Sequence, residues 1–222
     1  YKYMFHACRV PRSEQDSYCI YDPSRYTHTI VARKGHFFSV ELVDAESGDP
    51  LPLSSLEEQL KQCLDMADSI PSARPKLGLL TTSNRDDWAD AREQLLGVGG
   101  IEMEEALEKL QSGAVLVNLD DDSPVSRQEC GELLLSGGLT SGENRWFDKS
   151  IQLFCTNNGK AGLMGEHSMM DGMPGVGLAN RITELTYDKC QQVEGNRGRV
   201  SVAGAGSGVV SNFDTQPKLS LI

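Results

Sequence analysis

IQLFC (151–155), TNNGK (156–160), AGLM (161–164) and GEHSMMDGMP (165–174) form one continuous stretch, and its reading decides the fold. Two apolar, β-prone runs flank Asn157-Asn158-Gly159, the sequence signal of a tight hairpin. The chain then enters Gly165-Glu166-His167-Ser168-Met169-Met170-Asp171-Gly172, at a place where a strand end can project side chains into a cleft. His167 and Asp171 are four residues apart, a spacing that puts them on one face if helical. At a strand-to-turn junction the chain can equally fold Asp171 back beneath His167. An imidazole with an ordinary pKa of about 6.5 can take a proton from an alcohol or a thiol at neutral pH.

Outward from this stretch, strands and helices alternate. Thr27–Ala32 and Phe37–Val43 predict a hairpin around Lys34-Gly35, and Ala114–Leu119 predicts a buried strand. Leu77–Thr81 is a short apolar run, read as another buried strand. Ser54 or Ser55, with Glu57 or Glu58 three residues on, predicts a boxed helix start, closed by Pro71 and Pro75. Ser83-Asn84 caps a helix over 86–96, a second amphipathic stretch covers 101–110, and a further helix runs from about Pro174 to Asp188. The first twenty residues show no periodicity, and Val10-Pro11-Arg12 reads as extended or turn chain. The expected class is α/β (α+β), a mixed sheet flanked by helices.

Asp120-Asp121-Asp122 invites a metal, but the residues read better as an acidic loop before a helix starting near Ser123-Pro124. Gly137–Gly142 reads as a loop able to approach a ligand. Trp146 and Phe147 read as core, with Arg145, Asp148 and Lys149 as a structural polar network. Met164, Met169, Met170 and Met173 suit an acyl tunnel and core filling equally.

The 222 residues carry 21 basic and 32 acidic side chains, a net charge of -11. That balance argues against a nucleic-acid surface, and no run approaches the apolar length of a membrane span. The six scattered cysteines read as free thiols, without the close pairs of a metal site. Residues 191–222, rich in Gly and Ser, read as a linker, an insertion or a tail foreign to the domain of residues 1–190. The chain starts at Tyr1 without a leader and reads as cut at both ends.

In chain order, Cys8-Arg9-Val10-Pro11, Thr82-Ser83-Asn84-Arg85, Trp88-Ala89, Gly137-Gly138, NRWFDKS (144–150) and GEHSMMDG (165–172) resemble the carnitine/choline acyltransferase family. GEHSMMDG is most similar to the fungal carnitine O-acetyltransferases within it, and the resemblance extends from about Tyr3 to about Asp188. It implies the chloramphenicol-acetyltransferase-like fold of CoA-dependent acyltransferases, incomplete here. It makes His167 the catalytic base and Asp171 its acidic support. It also implies direct transfer of an acetyl or short acyl group between CoA and carnitine, with CoA or acetyl-CoA as co-substrate and no bound cofactor. Mitochondria or peroxisomes would be the compartment. The family's Ser-Thr-Ser element, CoA-phosphate cations and carnitine arginine have no match, so the chain alone is expected to be nearly inactive without the remainder of the enzyme. Choline or a longer-chain carnitine substrate, or a non-catalytic fragment, are the alternatives.

Overall fold

A computed structural model describes the backbone of residues 2–70, 75–138, 142–197 and 220–221, with side chains through residue 187. A small hairpin, β1 (Ala7–Val10) and β2 (Ser17–Ile20), precedes the main sheet. The sheet is built from β3 (His28–Arg33), β4 (His36–Glu41), β5 (Leu116–Asp120), β6 (Ile151–Thr156) and β7 (Ala161–Gly165). Their order is β7-β6-β5-β3-β4, and the two-residue β8 (Ser220–Leu221) pairs with the outer edge of β4. β5 runs parallel to both neighbours, whereas β3–β4 and β6–β7 are antiparallel hairpins, so the sheet is mixed.

Among the described residues, four helices flank it: α1 (Leu53–Ser69), α2 (Arg85–Ser112), α3 (Arg127–Ser136) and α4 (Gly172–Arg197). The alternation along β3 explains the layering. Ile30 and Ala32 pack with Phe37, Trp88, Leu107, Leu110 and Trp146 in a core shared with α2. Val31, on the opposite face, packs with Phe38, Val40, Cys63 and Ala67 beneath α1. α2 joins the two amphipathic stretches expected separately. Gly100, at φ 56 and ψ -141, breaks the helix between them without the strain that a side chain would add there.

Both central hairpins and the β5 strand form where the sequence places them. The first twenty residues, aperiodic in sequence, pair as the β1–β2 hairpin, and β1 also lies along the 148–150 segment: Arg9 N–H donates to Asp148 O and Ser150 N–H to Ala7 O. Other expectations are corrected. Leu77–Thr82 is a 3-10 turn rather than a strand. The Thr81 and Thr82 hydroxyls donate to the Gly78 and Leu79 carbonyls, and Gly78 lies so close to the Arg145 and Glu143 carbonyls that no Cβ would fit. α1 starts after Pro52 with no side-chain cap, so the expected capping box is absent.

The box forms instead at α3, between Ser126 and Glu129. This helix begins later than Ser123-Pro124 because Asn157 and Asn158 hold the 121–124 loop to the β6–β7 turn, donating to the Asp121 and Pro124 carbonyls. Gly137 ends α3 in the left-handed conformation; Leu139–Ser141, in the middle of the loop read as able to approach a ligand, lie outside the described residues. α4 starts two residues before Pro174 and extends past Asp188 to Arg197. Pro71 and the glycine-rich tract from Gly198 to Gly208 lie outside the described residues. No described helix is long and apolar enough to cross a membrane.

Candidate active site

NRWFDKS links strands to helices through almost every one of its side chains. Asn144 accepts from the Gly35 N–H and donates to Asp120, while Arg145 makes a bidentate pair with Asp120 (Nη1–Oδ1 3.1 Å, Nη2–Oδ2 2.8 Å). Arg145 Nη2 also donates to the Leu133 carbonyl of α3. Trp146 stacks edge-to-face on Phe37 and Trp88, which makes it core. The Trp88 indole N–H donates to Asp148 Oδ2 (2.8 Å), and Arg85 donates to Asp148 Oδ1 (2.7 Å). Burial raises Asp148 above the ordinary carboxylate range, and those donors offset part of the rise.

Lys149 is buried and donates to the Gln111 carbonyl in the last turn of α2; burial pushes its pKa down to about 8. His28 and His6 bond the neighbouring Lys109 and Ser112 carbonyls, so three basic groups meet the negative end of α2. The motif thus forms the expected structural network. Of the three consecutive acids, Asp120 pairs with Arg145 and Asp121 with Arg33. Among the described residues, no three His, Cys, Asp or Glu side chains converge on a metal-sized site.

GEHSMMDG lies directly beside this network. Gly165 is the partner of Ile151 across the β6–β7 ladder, and the Glu166 N–H donates to the Ser150 carbonyl (3.0 Å). His167 occupies the turn between β7 and α4 and is exposed, with no side-chain hydrogen bond among the described residues. Asp171 is also exposed, just ahead of α4, and its carboxylate accepts from the Gly172 N–H (2.7 Å) rather than from the imidazole. Both line one cavity of about 320 Å³. Its other walls are Leu163 and Gly165 of β7, Met170, and Gly172, Gly175, Val176 and Ala179 of α4. Of the four methionines considered for an acyl tunnel, Met170 alone lines this cavity, and Met173 is 72 % exposed.

Glu166 is the residue that sequence reasoning passed over. Its Oε2 accepts from the Ser168 N–H (3.1 Å), the Ser168 hydroxyl (2.6 Å) and the Met169 N–H (3.2 Å). Its Oε1 pairs with Arg9 (3.2 Å), Arg9 pairs with Asp16 (2.6 Å), and Asp16 pairs with Arg85 (2.7 Å). A chain of alternating charges therefore joins the His167 turn to Asp148 and Trp88. Burial raises Asp16, but hydrogen bonds from Arg85 and the Arg12 N–H outweigh it and hold the carboxyl below its ordinary value. The one signal in the sequence was a carboxylate placed directly before the histidine.

The mixed sheet thus carries helices on both faces, and a histidine sits in an apolar-walled cleft at the turn from β7 to α4. Residues 1–211 match the model of the choline/carnitine O-acyltransferase family, and the chain belongs to that family. It is 32% identical to a mitochondrial carnitine O-palmitoyltransferase 2 of Xenopus tropicalis, over 81% of this chain and 26% of the relative. It is 35% identical to the muscle isoform of carnitine O-palmitoyltransferase 1 of Rattus norvegicus, over 76% of this chain and 22% of that protein. A highly reducing polyketide synthase of Aspergillus luteorubrus is 34% identical over 89% of this chain and 6% of its own length. The chain thus spans about a quarter of the length of the palmitoyltransferases that it matches.

Proposed function

We propose that the chain is the histidine-bearing part of a carnitine O-acyltransferase, with His167 as general base and Asp171 as its support. The observation that carries this reading is the cleft itself. His167 and Asp171 share an apolar-walled cavity, and the ring has no hydrogen-bond partner among the described residues to compete for a substrate proton. In the proposed reaction the carnitine hydroxyl oxygen attacks the thioester carbonyl of acyl-CoA as the imidazole takes the hydroxyl proton. The tetrahedral intermediate expels the CoA sulfur, and the imidazolium returns the proton to that thiolate. Asp171 favours the transient imidazolium by its negative charge. Holding two substrates around one base supplies the entropic part of the acceleration. The stabiliser of the oxyanion and the cations for CoA phosphate and carnitine carboxylate are assigned to the rest of the enzyme.

The octapeptide GEHSMMDG supports acetyl as the acyl group. A second reading, long-chain transfer, is favoured by the palmitoyltransferase names of the relatives, and the name of the first also supports a mitochondrial location. The test is carnitine-dependent CoA release by the full-length protein from acetyl-, octanoyl- and palmitoyl-CoA, with choline as competing acceptor. The acetyl reading expects kcat/KM at least about tenfold higher for acetyl-CoA than for palmitoyl-CoA, about the least that a pocket discriminates for a single methylene. The reverse order selects the long-chain reading, and preference for choline overturns carnitine as acceptor.

A further inference from the structure

We propose that Glu166 is a positioning residue for the reaction, fixing the turn that presents His167 to the cleft; this rests on the reading of His167 as the base. The carboxylate divides its work between two oxygens. Oε2 gathers three donors from Ser168 and Met169, the two residues that follow the histidine. Oε1 is held by Arg9, on a strand of the separate β1–β2 hairpin. The Glu166 side chain is only 9% exposed, so its charge is sheltered although the histidine beside it is open to solvent. Its backbone is pinned as well, through the Glu166 N–H to the Ser150 carbonyl.

Without the carboxylate, three donors in a four-residue turn lose their common acceptor, and the imidazole loses its fixed approach to the cleft. The ion-pair series through Arg9, Asp16, Arg85 and Asp148 carries the anchor back to Trp88 in the core. The turn therefore takes its position from the buried scaffold rather than from its own hydrogen bonds alone. The ring can remain free for substrate because the residue before it does the holding.

The test uses Glu166→Ala, Glu166→Gln, Arg9→Met and His167→Ala in the full-length protein, with kcat, the KM of both substrates and thermal melting measured for each. Glu166→Ala is expected to lower kcat about 10- to 100-fold, the cost of roughly an ångström of misplacement, with both KM values within about threefold. Glu166→Gln keeps an acceptor oxygen for the turn and should recover most of that loss. Arg9→Met keeps the turn clamp but frees its outer end, and should fall between the two. If Glu166→Ala melts early, the decision passes to Glu166→Gln: wild-type kcat/KM with a small melting shift supports an acceptor role, and a loss carried by KM overturns it. Unchanged kcat in a folded Glu166→Ala protein, beside an inactive His167→Ala protein, overturns the positioning role and leaves the base standing. An active His167→Ala protein overturns both.

Discussion

Asp120→Ala is expected to destabilise the protein by about 3–5 kcal/mol, the cost of leaving a buried charge without its partner. The Asp120 and Arg145 side chains are 0% and 1% exposed, so water cannot replace what the substitution removes. The guanidinium loses both bonds of a bidentate pair and keeps the Leu133 carbonyl, while the Asn144 amide loses its acceptor. Those contacts join the end of β5 to α3 and to the segment before β6, so the damage spreads across three elements. Asp120→Leu combined with Arg145→Met removes both charges together and is expected to cost less than the single substitution. Chemical denaturation of the full-length proteins checks this: the single variant should lose about 3–5 kcal/mol of unfolding free energy, and the double variant less. A loss below about 1 kcal/mol in the single variant would show that the pair is not the link described.

His167→Ala is expected to lower the rate of acyl transfer by about 10² to 10⁴ while leaving the fold intact. The two halves of that expectation have separate causes. The side chain is exposed and makes no hydrogen bond among the described residues, so its removal takes little from folding. Among the described residues no other imidazole lines the cavity, and neither Asp171 nor Glu166 is placed to replace it: one accepts from Gly172, and the other is committed to Arg9 and the turn. Steady-state rates with both substrates saturating, with circular dichroism as a fold check, read the two halves apart. The KM values should move little, because the lost interaction belongs to the transition state.

Legibility followed the range of the interactions. The Asn-Gly hairpin, the β3–β4 hairpin and the buried β5 strand are local patterns, and the chain forms all three. Leu77–Thr82 misled because a short apolar run buries its side chains equally well in a tight helical turn, and the two threonine hydroxyls favour that turn. β1 was hidden because, besides its hairpin partner β2, it lies against residues 148–150, which no local pattern reveals. At the site, His167 and Asp171 stood out within one eight-residue string, and the fold brings both to the same cavity. Glu166 stood in that same string, yet Arg9 lies 157 residues away, and no local pattern reveals a pair of that separation.

The most direct measurement of the central claim is a single turnover of the full-length protein with labelled acyl-CoA, first without carnitine and then with it, followed by thiol release and the intact mass of the protein. Direct transfer assisted by His167 predicts almost no CoA release and no added mass until carnitine arrives, then one equivalent of acylcarnitine and of free CoA. An acyl group on the protein before carnitine, or CoA release indifferent to carnitine, would contradict it.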